Sequence, residues 1–171
     1  TGFAGFAQEA ASGVLALLQI SGIRQGLVVD LGCGSGLWAR ALLDAGFEVL
    51  GVDYSSAMIE LARGVAPEAR YLVSSFYEVD LPSCAAVTAL GEGFTYMAAQ
   101  DPREALPLFL PRVYGALDPG GVLLFDMILR SEQEPMRYRA AREGPDWHIE
   151  TEVIEEPELS QAGANGGNSI A

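Results

Sequence analysis

Apolar residues recur at helical spacing at the start of the chain, at Phe3, Phe6, Ala7, Ala10, Val14, Leu17 and Leu18. This spacing predicts an amphipathic helix, weakened by Gly13 and closed by Ser21-Gly22. Leu27-Val28-Val29-Asp30-Leu31 is a short apolar run that meets a glycine-rich loop, the pattern of a buried strand. Leu37 to Ala45 reads as a helix, and Gly46 stands where a helix stop favours positive φ. The alternation then repeats. Phe47 to Val52 is a strand ending in Asp53. Ser55 and Ser56 offer N-caps for a helix through Arg63. Tyr71 to Ser74 and Ala85 to Leu90 are the third and fourth strands. Asp101-Pro102-Arg103-Glu104 opens a helix, with Asp as cap and Pro at the first helical position. Pro107 and Pro111 fall inside it. Each removes an N–H and crowds the carbonyl one turn back, so a kinked or split helix is expected. Asp118-Pro119-Gly120-Gly121 is a turn, and Val122 to Ile128 is a fifth strand.

Strands alternating with helices predict an α/β fold, a doubly wound and mainly parallel sheet with helices on both faces. Near-continuous apolar strands, covered on both sides, agree with it. After Arg130 the pattern changes. Arg130 to Asp146 is polar, with Arg137, Tyr138 and Arg139 at its centre. Trp147 to Val153 alternates apolar and polar, as a half-buried strand does. Gln161 to Ala171 is small, rich in Gly and Asn, and patternless, and disorder is expected there. The chain thus divides into a core over 1–130, an edge-strand or substrate-side segment over 131–160 and a tail over 161–171. A sheet ending at Val122–Ile128 leaves an apolar edge open to pairing with another chain, a route to an oligomer.

Composition narrows the function classes. The 171 residues, half of them hydrophobic, suffice for one core. No apolar run reaches the roughly 18–20 residues that span a bilayer, and no membrane partner is expected. No basic segment precedes an apolar stretch, so no signal peptide is expected, and the two cysteines read as reduced residues of a cytoplasmic protein. The formal net charge is −13, and all ten basic residues are Arg. Such a chain repels phosphate backbones, which argues against nucleic acid as a partner. The acids of Glu143 to Glu158 read as a solvated face or tail. Cys33 and Cys84 are too few for a disulfide scaffold and lack metal-ligand spacing. Both are expected to be reduced core or loop residues, with no metal site.

Candidate chemistry gathers where strands end. Asp30-Leu31-Gly32-Cys33-Gly34-Ser35-Gly36 follows the first strand and opens a helix. Its glycines permit tight turning and close approach of a ligand, and Gly34 is expected to tolerate no side chain. The helix N-terminus behind them offers free N–H groups and a partial positive charge. A dinucleotide loop would carry Gly-x-Gly-x-x-Gly, whereas Leu37 stands at the third position here. Asp53 closes the second strand roughly 20 residues later, where an acid can accept both ribose hydroxyls. Ser75 and Gly91-Glu92 lie at strand ends on the same edge.

Three segments together resemble a known family. Val28 to Gly36 is similar to the first motif of class I S-adenosyl-L-methionine (SAM)-dependent methyltransferases. Val49 to Met58 looks like their second, and Leu117 to Asp126 looks like the turn and strand late in the domain. The resemblance spans roughly 20–130 and implies a Rossmann-like fold with SAM as cofactor. It implies that the backbone of Gly32, Cys33, Gly34 and Gly36 faces the methionine part of SAM, with Asp30 holding its amino end. Asp53 would bind the ribose, and Tyr54 and Met58 would pack near the adenine. Ser75 and Phe76 stand where the family places adenine contacts, although an acid is common at the Ser75 position. Gly91, Glu92 and Tyr96 would face the methyl group and its acceptor.

Plainer roles stand beside these: a capping acid at Asp30, a strand-end acid at Asp53, core packing for Tyr54 and Met58. Glu92 and His148 are the candidate general bases, against a solvated loop acid and a surface histidine. The family's sheet ends in an antiparallel hairpin, for which only 147–155 supplies a strand here. A C-terminus truncated or atypical for the family is therefore expected, which bears on activity more than on SAM binding. The function implied is SAM-dependent methyl transfer to a small-molecule acceptor. The alternative is a SAM-binding relative without catalysis. An oxidoreductase with a nucleotide cofactor is opposed by the glycine spacing.

Overall fold

A computed structural model describes residues 2–75, 77–91, 102–126, 137–144 and 147–154. They fall in two compact units, Thr1–Ile128 and Leu129–Ala171. The first unit runs α1 (Gly2–Ile20), β1 (Leu27–Leu31), α2 (Leu37–Asp44), β2 (Glu48–Asp53), α3 (Ser56–Val65), β3 (Arg70–Val73), β4 (Cys84–Ala89), α4 (Pro102–Ala116) and β5 (Leu117–Phe125). The five strands form one sheet in the order β3-β2-β1-β4-β5. Every neighbouring pair is parallel. The strand order therefore reverses direction between β1 and β4, and all five carboxyl ends share one edge.

Two apolar layers hold the sheet, and the two-residue strand period sorts side chains between them. Val28, Val49 and Ala86 pack with Leu18, Ala39 and Leu42 on the α1–α2 face. Val29, Leu31, Leu50, Val52, Val87 and Ala89 pack with Phe109, Val113 and Ala116 of α4 on the other. Helices thus cover both faces, as the alternation of elements predicts. The expected helix stop at Gly46 is present: Gly46 N–H donates to Leu43 O and Phe47 N–H to Leu42 O, with Gly46 at φ 90°. This double bond pattern satisfies the last carbonyls and turns the chain into β2.

Two local expectations are corrected, a split α4 and a turn ahead of β5. Helix α4 runs from Pro102 to Ala116 as one element through Pro107 and Pro111. Phe109, Val113 and Ala116 bury one stripe of it against the sheet, and such packing outweighs the loss of two amide donors. Arg112 also ties it to the loop before β4 by donating to the carbonyls of Tyr77 and Val79. Strand β5 begins at Leu117, so the Asp118–Gly121 turn lies within it. The pairing with β4 shifts register between Cys84 and Ala86 to absorb the turn, and Ser83 Oγ donates to Asp118 Oδ1 at 2.6 Å.

The second unit is an antiparallel hairpin of β6 (Arg137–Gly144) and β7 (Trp147–Ile154). The strand expected over Trp147–Val153 is there. Its partner is β6, in a two-stranded sheet of its own, and among the described residues the main sheet ends at β5. Three arginines and two adjacent alanines leave β6 without apolar alternation, and its pairing is evident only opposite β7. The tail over 161–171 lies outside the described residues. Both cysteines are free and buried, and among the described residues no helix is long and apolar enough to cross a membrane.

Phe109 is fully buried and meets Tyr77 edge-on, with ring centroids 5.3 Å apart. Phe109→Ala is expected to destabilise the chain by about 3–5 kcal/mol, read as a lower urea midpoint at unchanged slope.

Candidate functional site

The site begins with a carboxylate. Asp53, the last residue of β2, is only 8% exposed. Its Oδ2 accepts from Gly34 N–H and its Oδ1 from Ser55 N–H, both at 2.9 Å. One side chain thus ties the loop after β1 to the loop after β2. The glycine loop is held a second time by Gly32 and Cys33, whose N–H groups both donate to Val52 O at 2.8 and 3.1 Å. Asp53 therefore has a structural role beside any ligand: removing it frees two amides and a loop.

The glycines divide the work. Gly36 has φ 81°, and a Cβ there would fall 2.9 Å from Ala62 Cα, which is backbone and cannot give. Gly36 is thus the position that packing closes to any side chain. Gly34 has φ 51°, with open space where its Cβ would stand. Conformation disfavours a side chain at Gly34, but no atom of the described residues does. The same openness lies beside Gly32. Gly36 also opens α2 without a side-chain cap, which leaves the first amides of that helix to other acceptors.

Asp30 differs from Asp53. It shares the α1–α2 face of the sheet with Val28, its register partners being Gly51 on β2 and Thr88 on β4. It is 2% exposed. Oδ1 accepts from Thr88 Oγ1 at 2.9 Å, and Thr88 Oγ1 accepts from Trp38 Nε1 at 3.1 Å. Oδ2 is buried and, among the described residues, has no partner. Burial pushes the Asp30 carboxyl up to about 7; the Thr88 bond opposes the rise and nearby Asp53 adds to it.

The remaining predicted residues are placed as follows. Tyr54 is 83% exposed and Met58 41%. They follow Asp53 as apolar surface beside the loop rather than as core, which sets aside the plain packing role. Ser74 N–H donates to Asp53 O at 3.0 Å, bringing the end of β3 alongside. Ser75 Oγ accepts from Tyr77 N–H at 3.3 Å. Gly91, at the end of β4, donates its N–H to Asp126 Oδ2 at 3.2 Å. Cys33 contributes through its backbone. Its thiol is buried beside Gly51 and Tyr71, and burial with the neighbouring acids pushes it far above the ordinary thiol range. Phe76, Glu92 and Tyr96 lie outside the described residues. His148 is on β7 in register with Glu143, in the second unit; its side chain lies outside the description.

The sequence reading missed three residues. Thr88 is the lone hydroxyl in the run Cys84-Ala85-Ala86-Val87-Thr88-Ala89, an internal polar group that calls for a partner. Trp38 gave no such signal. Asp126 follows β5 as Asp53 closes β2, a parallel that spacing alone could have shown.

The family model described as a methyltransferase domain matches residues 28–121. The chain belongs to the class I SAM-dependent methyltransferases. It is similar to trans-aconitate 2-methyltransferase of Paracidovorax citrulli, 35% identical over 122 residues, 68% of this chain and 43% of that protein. It is similar to malonyl-[acyl-carrier protein] O-methyltransferase of Serratia marcescens, 30% identical over 101 residues, 59% of this chain and 38% of that protein. In fold it is similar to SAM-bound CalS10, an amino pentose methyltransferase from Micromonospora echinaspora. The TM-score is 0.70 at 22% identity, over 80% of this chain and 57% of that one. The chain spans about two fifths of the length of the curated relatives it matches.

Asp30 gives this methyltransferase domain a pH signature. With its carboxyl raised from 3.8 to about 7, the folded state keeps a proton that the unfolded state releases. That contribution to stability is full below about pH 4 and is lost as pH rises through about 7, by up to about 1.4 kcal/mol per pH unit. Asp30→Asn is expected to gain stability relative to wild type between pH 5 and pH 8, measured as the difference in urea midpoints at each pH.

Proposed function

We propose that this chain binds SAM at the edge where β1, β2 and β4 end and passes its methyl group to a small-molecule acceptor. The observation that carries this reading is the pair of acids. Asp53 is fixed by two backbone amides, and Asp30 holds a buried oxygen that lacks a partner. A cationic amino acid moiety with a ribose suits both. The open space beside Gly32 and Gly34 gives such a ligand close approach to the backbone.

In this proposal Gly32, Cys33, Gly34 and Gly36 hold the methionine part through their backbone, with Asp30 at its amino end. Each Asp53 oxygen already accepts one amide and keeps a second lone pair for a ribose hydroxyl. Tyr54, Met58, Ser75 and Phe76 border the adenine, and Gly91 borders the methyl group. When bound, SAM supplies a methyl group already activated on a sulfonium. The chain's own task is then to hold donor and acceptor in line and to keep water out, an alignment worth about 7–11 kcal/mol. Glu92 is the proposed proton acceptor for a hydroxyl or amine acceptor. The relatives are named for chemically different acceptors, trans-aconitate, malonyl-[acyl-carrier protein] and an amino pentose among them. The features argued here therefore concern the donor side of the site.

Calorimetry with SAM is expected to show binding to wild type. Asp53→Ala, folded by circular dichroism, is expected to bind at least about 10-fold more weakly, since it loses charge-assisted bonds worth about 1.5–3 kcal/mol. Transfer of labelled methyl to a panel of small acceptors tests turnover. No heat with SAM where NAD binds, or full SAM affinity in Asp53→Ala, would overturn the reading.

A further inference from the structure

We propose that Trp38 and Thr88 are positioning residues that fix the polarity of the Asp30 carboxyl, so that Asp30 releases a proton from Oδ2 when a cationic ligand group docks against it. This rests on the SAM-binding reading and goes beyond it, because it assigns a proton to an atom and couples that proton to binding.

An indole N–H can only donate. Trp38 Nε1, 3.1 Å from Thr88 Oγ1, therefore takes up a lone pair of that hydroxyl. The single hydrogen of Thr88 is left for Asp30 Oδ1 at 2.9 Å. The hydroxyl keeps a second lone pair, but turning its hydrogen away from Oδ1 would strand a buried donor for which the described residues offer no other acceptor, so Oδ1 is the acceptor whether Asp30 is charged or neutral. Any proton that Asp30 carries must sit on Oδ2, the buried oxygen with no partner among the described residues. Without Trp38 the hydroxyl could reverse and accept from the acid, and the proton would have two places to go.

The surroundings of Asp30 favour keeping that proton until a cation arrives. From β2 the charged neighbour is Asp53, which repels a second anion. The titratable neighbour from the glycine loop is the Cys33 thiol, which is kept neutral by burial. From β3 it is Tyr71, whose hydroxyl donates to Ala62 O and Ala66 O. On α2 the cation is Arg40, which is engaged with Asp44 and Glu68, both at 2.8 Å, and not with Asp30. Thr88, from β4, is uncharged. No described cation pairs with Asp30. An ammonium group docking at Oδ2 supplies the missing positive partner. The O–H bond breaks, the proton passes to the buffer, and the carboxylate accepts an N–H of the ammonium. Burial holds the ligand-free carboxyl at about 7, which places the exchange in an accessible range of pH.

The test is calorimetry of SAM binding to the full chain in buffers of different ionisation enthalpy, from pH 5.5 to 9, which counts protons released. Wild type is expected to release about one proton more than Asp30→Asn near pH 6, and no more than it near pH 9. Thr88→Val is expected to move the midpoint of that difference up by about one pH unit. Trp38→Phe should move it in the same direction, and Thr88→Ser should restore it. Should Thr88→Val not fold, the Asp30 carboxyl carbon is followed by NMR in wild type and Trp38→Phe. Its midpoint should lie near neutrality without ligand, fall sharply with SAM, and lie higher in Trp38→Phe. SAM binding with proton release equal in wild type and Asp30→Asn would overturn the proposal and leave the proposed function standing. A midpoint that neither Thr88→Val nor Trp38→Phe moves would overturn the positioning role. No binding of SAM by wild type at any pH would remove the reading on which the proposal rests.

Discussion

Two backbone amides from different loops converge on one carboxylate at the end of β2. Gly34 N–H and Ser55 N–H each donate to an Asp53 oxygen at 2.9 Å, and charge-assisted bonds of this kind are roughly twice as strong as neutral ones. Cys33 is the one side chain of the glycine loop that is buried in the core. The shape of the loop depends on this carboxylate and on the two amides that share Val52 O. The open spaces beside Gly32 and Gly34, the uncapped start of α2 and the close pass of Gly36 over Ala62 all follow from where the loop is held. The parallel sheet makes the arrangement available, since β1 and β2 deliver Asp30, the glycines and Asp53 to a single edge.

The two acids on that edge show how environment separates identical side chains. Asp53 accepts a backbone amide on each of its oxygens. Asp30 lies deeper and has one hydroxyl on one oxygen and no partner among the described residues on the other. Burial therefore acts on Asp30 with little to offset it, and its carboxyl rises to about 7. A buried polar group left half-satisfied costs stability, and an acid in this state suits a site that a cation completes. Thr88 and Trp38 belong to the same arrangement, extending it from β1 through β4 to α2.

Much of this was legible in the chain. The alternation of apolar runs with helical spacing gave the order of strands and helices in the first unit, because buried parallel strands must be apolar throughout. Asp30, the glycines and Asp53 stood out because their residue types at strand ends are those a bound nucleoside needs. What escaped depended on contacts distant in sequence. Pro107 and Pro111 argued for a broken α4, but Phe109 and Val113 bury against the sheet and keep it whole. Strand β6 has no alternation of its own and is defined by β7. Thr88 looked like one more strand residue until Asp30 and Trp38, far away along the chain, were found on either side of its hydroxyl. The loss of stability now expected on removing Asp53 also follows from a contact with Gly34 that spacing did not reveal.

Amide hydrogen exchange at Gly34 tests most directly the claim that Asp53 holds the ligand loop in place. In the ligand-free chain, Gly34 N–H is expected to be protected well beyond an open loop amide and to lose that protection in Asp53→Ala, with further slowing in wild type when SAM is added. Exchange of Gly34 in wild type at the rate of an unstructured peptide, unchanged by Asp53→Ala and by SAM, would contradict the account.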